Sequence, residues 1–249
     1  MSKIGLIIGH GLNFAEDITS GKDHFIDSPY GKPSDRFTTG KIGKKDVVVL
    51  HRHGHDDKIP SFAINYKANL FVLHEMGCSH VIATSLCGSL QEEIFVGEFV
   101  VFDQFIDLTK HRELTYSDIV PLEKLNHSAF NKPFSDEIRD CLIEAAIVKG
   151  YTIHTKGTVL AVDGPRQSTR AESNLFRKWG ADVVNTSTAP EAILAHELGM
   201  NYGAISLCTY YDTWRTDIEP ATRSEKEEVL TQNAPLMKDI VMNAISKCG

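Results

Sequence analysis

Val47-Val48-Val49-Leu50-His51-Arg52-His53-Gly54 is the stretch from which the rest of the chain can be placed. Four apolar residues in a row, three of them β-branched, leave no polar face, so the run predicts a strand buried on both sides, as in α/β sheets. It breaks abruptly into basic side chains at its C-terminal edge, which is where open α/β sheets bind ligands. Arg52 offers a planar fork for an oxyanion, His53 an imidazole, and Gly54 a backbone free to turn sharply. Two readings follow from these residues alone. In one they form an anion site; in the other Arg52 pairs with a structural carboxylate and His53 is a satisfied core histidine.

Upstream, Phe37 to Ile42 and the central strand form a predicted hairpin across Gly43-Lys44-Lys45-Asp46. Ile4 to Ile8 reads as the first strand, followed by the turn Gly9-His10-Gly11. Phe14 stands where a dinucleotide fingerprint needs its third glycine, so the turn is expected to face a small anion with its amides. Residues 13 to 35 are polar and turn-rich, with Pro29 to Pro33 as a surface loop.

Downstream, Tyr66, Leu70, Leu73 and Met76 keep a helical period that Gly77 stops. Val81 to Ser85 predicts a second buried strand, with Leu86-Cys87-Gly88-Ser89 as a small-residue turn at its end. Glu98 to Ile106 is strand-like, and Asp107 to Lys132 is an irregular segment of the kind that forms lids, pocket walls or subunit contacts. A helix runs from Ser135 to Gly150, a strand from Gly157 to Val162, a helix from Ala171 to Trp179 and a short strand from Asp182 to Asn185. Pro190 is expected at the first position of a helix reaching Leu198, and Tyr202 to Cys208 is the last strand. Ser224 and Glu227 suggest a capping box for a final helix that Pro235 should kink or interrupt. Strands alternating with helices over residues 1–249 predict a single α/β domain with a central mixed β-sheet flanked by helices.

Composition narrows the function classes. A formal charge of -7 supplies no positive field to collect polyanions, which argues against nucleic-acid and membrane-surface partners. Five cysteines, odd in number and without a C-x-x-C pair, suit a reducing, cytoplasmic compartment. The apolar run after Lys3 is too short for a signal segment, and no stretch approaches a membrane span.

Polar residues fall at five strand ends: Gly9 to Gly11, Arg52-His53, Thr84-Ser85, Asn185 to Thr188, and Thr209 to Asp212. Strands running the same way would gather them in one crevice. Hydroxyls, glycine turns and one arginine suit phosphate, whereas there is no Walker lysine, no H-E-x-x-H and no G-x-S-x-G.

Ordered along the chain are Ile7-Ile8-Gly9-x-Gly11-Leu12, Pro29-x-Gly31-x-Pro33-Ser34-Asp35, Arg52-His53-Gly54, Asn65-Tyr66-x-Ala68-Asn69, Cys87-Gly88-Ser89-Leu90, Asp103 to Asp107, Gly164-Pro165-Arg166 with Ser168-x-Arg170-Ala171-Glu172, Trp179 to Asp182, and Pro190-Glu191. With these, the chain resembles the trimeric nucleoside phosphorylase family and, within it, the methylthioadenosine phosphorylase branch. The resemblance implies a homotrimer with active sites at subunit contacts. It implies a nucleoside and inorganic phosphate as substrates, the phosphate as co-substrate, and neither cofactor nor metal. It places the phosphate grip on Arg52, His53, Ser85 and Ser187, with Gly9 and His10 beneath. Substrate contacts fall on Leu86, Gln167, Ser168, Asn185, Thr186, Tyr210 and Asp212, and His127 matches a histidine that reaches a neighbouring subunit's 5'-substituent pocket.

Several positions depart from the family pattern. His10 replaces a hydroxyl residue, and Thr186 replaces a methionine that packs on the sugar. Gln167 replaces an aromatic over the purine, and Tyr210 a carboxylate that contacts the base. Asp57 stands in place of a histidine near the sugar, with His55 close enough to substitute. Asp212 is retained and is the expected catalytic acid or its orienter, while Asp163 and Glu172 are expected to pair with Arg166 or Arg170. The expected reaction is dissociative: phosphate beneath the sugar supports positive charge at the anomeric carbon while an acid meets the departing base. A hydrolase using water in place of phosphate, and a non-catalytic nucleoside-binding homologue, are the alternatives.

Overall fold

The computed structural model describes residues 3–248. At its centre β1 (Lys3–Ile8) lies between β4 (Lys45–His51) and β5 (Cys78–Ser89), parallel to both, and β11 (Asn201–Tyr211) runs parallel along the other edge of β5. Side chains alternate between two cores. Ile7, Val48, Leu50, Val81 and Ala83 face α1 (Tyr66–Glu75) and α4 (Thr188–Glu197), while Leu6, Ile8, Val47, Val49 and Ile82 face α2 (Asp136–Lys149) and α5 (Arg223–Lys247). Both faces of the central strands are therefore dry, which is why Val47 to Leu50 carries no polar position.

Two antiparallel strands, β2 (Thr19–His24) and β3 (Phe37–Ile42), extend the sheet beyond β4. β2 falls inside the segment expected to be turn-rich. It is an edge strand exposed along almost its whole length, so nothing in its residues alternates between wet and dry. The strand-like stretch from Glu98 divides in two. β6 (Phe99–Val101) pairs antiparallel with β11 and parallel with β8 (Ile153–His154), whereas β7 (Gln104–Asp107) joins β9 (Thr158–Ala161).

The largest departure is at Leu86 to Ser89, expected as a turn and found inside β5. β11 holds this stretch on one edge, and β10 (Val183–Asn185) pairs antiparallel with Gly88 and Ser89 on the other. Pairing on both sides keeps a glycine-containing segment extended.

Helix ends differ in detail. α5 is capped by Thr222 and Glu225, one of two overlapping S/T-x-x-E matches, while Glu227 of the expected box pairs instead with Arg223. The helix is continuous through Pro235. Pro190 is the third residue of α4, not the first, still within the turn whose N–H groups lack intrahelical partners. α3 (Arg170–Lys178) packs Phe176 against Leu160 and Val184 beside β9 and β10. Among the described residues no helix is long and apolar enough to cross a membrane.

Candidate active site

The site lies where the sheet changes neighbours. β1 pairs with β5 only as far as Ala83, and β10 begins to pair at Gly88, so the edge of β5 between them is left open. Into this gap run the loop after β1, carrying Gly9 and His10, and the loop after β10, carrying Thr186 and Ser187. The loop after β4, with Arg52 and His53, closes it from outside. The result is a crevice of about 420 Å³ lined by His10, Arg52, His53, Ser85, Thr186 and Ser187. Every side chain expected at the phosphate grip is on its wall.

Arg52 is buried and held fork to fork by Glu191, with Nε donating to Oε1 at 2.5 Å and Nη2 to Oε2 at 2.9 Å. Nη1 donates to the Thr84 carbonyl at 2.7 Å, and the Tyr202 hydroxyl adds a bond to Glu191 at 2.7 Å. Burial works against the charge, but Glu191 outweighs it and the guanidinium pKa is raised. Three of the five guanidinium protons are thus occupied, leaving one on each terminal nitrogen. The carboxylate pairing foreseen as one reading of Arg52 is realised, in a residue that also faces the crevice.

His53 shares its Nδ1 with the Ile59 carbonyl at 2.8 Å. A carbonyl only accepts, so Nδ1 carries the proton and Nε2 of the neutral ring is an acceptor. Burial, and then the charge of Arg52, push its pKa down. The glycine turn does not present its amides as expected. Gly9 N–H donates to Thr84 Oγ1 at 2.9 Å and Gly11 N–H to Asp57 Oδ2 at 2.9 Å. Gly9 is required for close approach, since a Cβ there would lie 2.6 Å from the Thr84 carbonyl oxygen. The same Asp57 oxygen lies 3.5 Å from His10 Nδ1, so Asp57 braces the turn from below. His55 packs edge-on to His51 and does not line the crevice.

Beyond Leu86 and Thr186 the crevice continues into a cavity lined by Gly164, Gln167, Ser168, Asn185 and Tyr210, and then into one reached by Asp212. Asn185 donates to Thr188 Oγ1 at 2.6 Å and to Ser85 Oγ at 3.4 Å, tying β10 to β5 across the gap. Asp212 is 1% exposed, and neither carboxylate oxygen has a hydrogen-bond partner. Burial raises its pKa, against the pull of the neighbouring Ser173 and Ser168 hydroxyls and the Thr213 N–H. A buried carboxyl without donors is costly unless a ligand supplies them. Tyr210 lies against the backbone of β5, where a Cβ on Gly88 would come within 2.5 Å of its ring. Above it, the Lys226 ammonium sits 3.9 Å from the ring centroid.

Comparison with known proteins agrees with this geometry. The phosphorylase superfamily model matches residues 3–246. The chain belongs to the phosphorylase superfamily. It is 40% identical over 245 residues to S-methyl-5'-thioadenosine phosphorylase from Danio rerio, covering 98% of this chain and 88% of that protein. The same enzyme from Xenopus tropicalis is 41% identical over 246 residues, with the same shares covered. Methylthioadenosine phosphorylase from Schistosoma mansoni, solved with adenine, superposes with a TM-score of 0.92 at 32% identity, covering 99% of this chain and 91% of that one. Within the superfamily, these likenesses put the chain in the methylthioadenosine phosphorylase branch and make it a pentosyltransferase.

Of the two expected ion pairs, one forms and one does not. Glu172 meets Arg166 with two bonds of 2.7 Å, but Asp163 meets Arg112, Nε to Oδ1 at 3.1 Å, rather than Arg166 or Arg170. Arg112 also donates to the carbonyls of Ser61 at 2.6 Å, Asp163 at 3.1 Å and Thr186 at 3.5 Å, and lies over the Tyr66 ring. It clasps three loops that wall the crevice. Nothing in the irregular segment marks Arg112 in the sequence beyond its being a lone arginine beside a histidine. His127 is exposed, bonds the Leu122 carbonyl at 3.1 Å and stands apart from the crevice within this chain.

Proposed function

We propose that this phosphorylase cleaves the N-glycosidic bond of a nucleoside or 5'-modified nucleoside with inorganic phosphate, giving free base and sugar 1-phosphate. The observation that carries the reading is the pairing of a crevice suited to an oxyanion with a buried, unpartnered Asp212 at the far end of the same cleft. Leu86 and Thr186 lie between them, where a ribose fits.

In this reading the free protons of Arg52 and the hydroxyls of Ser85 and Ser187 hold phosphate beneath the sugar, with Gly9 and His10 forming the floor. The Nε2 of His53 accepts a hydrogen bond from a hydroxyl of phosphate or ribose. As the glycosidic bond lengthens, the phosphate charge stabilises the oxocarbenium-like sugar. Asp212, its pKa raised by burial, donates to the departing base, and Gln167, Ser168, Asn185 and Tyr210 surround that base. No cofactor or metal takes part. The enzyme works in the cytoplasm as a homotrimer, with His127 completing a neighbouring subunit's pocket.

The test is base release from a panel including adenosine, inosine and 5'-methylthioadenosine, with and without phosphate. Release that needs phosphate supports the reading. Equal release without it turns the assignment to a hydrolase in which His10 displaces phosphate, and tight binding without release to a non-catalytic homologue.

A further inference from the structure

A nucleoside leaves its ribose in three directions: the base on C1', the face attacked by the nucleophile, and the substituent on C5'. With phosphate in the Arg52 crevice and the base beside Asp212, two of these are taken. One further cavity opens from the same place. It has a volume of about 270 Å³, shares His10, Leu86 and Thr186 with the phosphate crevice, and is closed by Tyr210 and the first turns of α5. By elimination it receives the C5' substituent.

Its α5 wall is charged. Arg223, Lys226 and Glu227 line it, while Leu86, Val184 and Leu230 supply apolar lining, so the charge on α5 enters an otherwise mostly apolar cavity. Arg223 and Glu227 neutralise each other through a 2.7 Å bond. Lys226 is different: it is half-buried, lies over the Tyr210 ring and ion-pairs with no carboxylate among the described residues. Burial lowers its pKa, with Asp212 partly offsetting that cost. The Thr222 and Glu225 amides are occupied by the capping box, so the side chain and not the helix end supplies the attraction. A half-buried ammonium facing an open cavity gains most from an anion and nothing from a thioether, which is at best a weak acceptor.

We propose that this cavity selects nucleosides carrying an anionic 5' substituent, a phosphate or carboxylate, and that Lys226 is the specificity-determining residue. The inference rests on the phosphorylase reading for the placement of sugar and base. Its test is nevertheless a binding measurement, so the two fail separately. Calorimetric titration of the full chain compares adenosine and inosine 5'-monophosphates with the 5'-methylthio forms of the same nucleosides. The 5'-monophosphates are expected to bind roughly tenfold or more tighter, Lys226→Leu to remove that margin, and Lys226→Arg to keep it. A 5'-carboxylate analogue behaving like the monophosphate generalises the result to anions; preference for phosphate alone restricts it to that group. Tighter binding of the methylthio forms by the unaltered chain overturns the proposal, as does absence of binding by both monophosphates or equal loss of all ligands in Lys226→Leu. Base release without that preference overturns it while leaving phosphorolysis standing.

Discussion

Arg52 and Glu191 are separated by 139 positions in the chain, yet meet through two parallel hydrogen bonds with side chains only 1% exposed. The pair joins the end of β4 to α4 and sets the height of the crevice wall. It also tempers the site, because the guanidinium charge that would draw phosphate is already matched. Replacing Glu191 by Gln leaves that charge uncompensated in the interior, which costs about 3–5 kcal/mol. Thermal melting should show a fall of roughly 6 °C or more. The same change should lower the phosphate KM, because the freed charge faces the crevice; an unaltered KM in a folded variant would mean the anion sits elsewhere.

Asp212 gives a prediction with the opposite sign for stability. Its folded pKa is raised, so its contribution is most favourable below the unfolded value of 3.8 and is lost as pH rises through the folded value. Above that value the ionised form is a burden. Asp212→Asn should therefore melt higher wherever the carboxyl is ionised, by about 1 kcal/mol or roughly 2–4 °C, with the gain shrinking as pH falls through the folded value. Catalysis should fall at least about a hundredfold, since the amide has no proton to give a departing base. Unchanged kcat would remove Asp212 from the chemistry.

His51 and His53 report on pH from the other side. Both have pKa values lowered from 6.5, chiefly by burial, so the unfolded chain takes up protons before the folded one does. Stability is full above 6.5 and declines as pH falls through that value toward the folded pKa. Denaturant midpoints measured from pH 7.5 to 5.5 should fall, and His53→Gln should flatten the slope. A flat profile in the unaltered chain would contradict the neutral Nδ1–H form assigned to His53.

Arg112 touches none of the side chains expected to bind substrate; it reaches the site through backbone carbonyls. Arg112→Met keeps much of the aliphatic bulk but removes hydrogen bonds to Ser61, Asp163 and Thr186. Charged hydrogen bonds contribute about 1.5–3 kcal/mol each, so a loss near 3 kcal/mol is expected after partial rehydration. Because Thr186 borders the Arg52 crevice and both cavities beyond it, kcat should fall along with stability. Limited proteolysis between residues 107 and 132 checks the clasp directly: cleavage no faster than in the unaltered chain would show that Arg112 does not hold that segment down.

The fold was legible wherever burial left its mark on residue type. Val47 to Leu50 and Val81 to Ala83 are dry on both faces, and Ser135 and Gly150 bracket α2 as cap and stop. β2 was hidden because an exposed edge strand needs no apolar residue, and the far half of β5 because Gly88 mimics a turn until Tyr210 is seen lying on it. At the site, local sequence identified which strand ends carry polar groups but could not reveal their partners. Glu191 is an acid in the first turn of α4 and Lys226 one of several charges on α5, with nothing in the neighbouring residues to set them apart. Both acquire meaning only from residues more than ten positions away, across contacts that no local pattern encodes.

The contact of Tyr210 with Gly88 constrains which substitutions the cleft tolerates. Any methyl added at position 88 evicts the phenol, and any shrinking of the phenol opens a void above a bare backbone, so neither site can drift alone. The two are coupled to a third: a carboxylate at position 210 would strip Lys226 of the ring beneath its ammonium and set a negative charge in its place. Reshaping this end of the cleft therefore requires positions 88, 210 and 226 to change in concert.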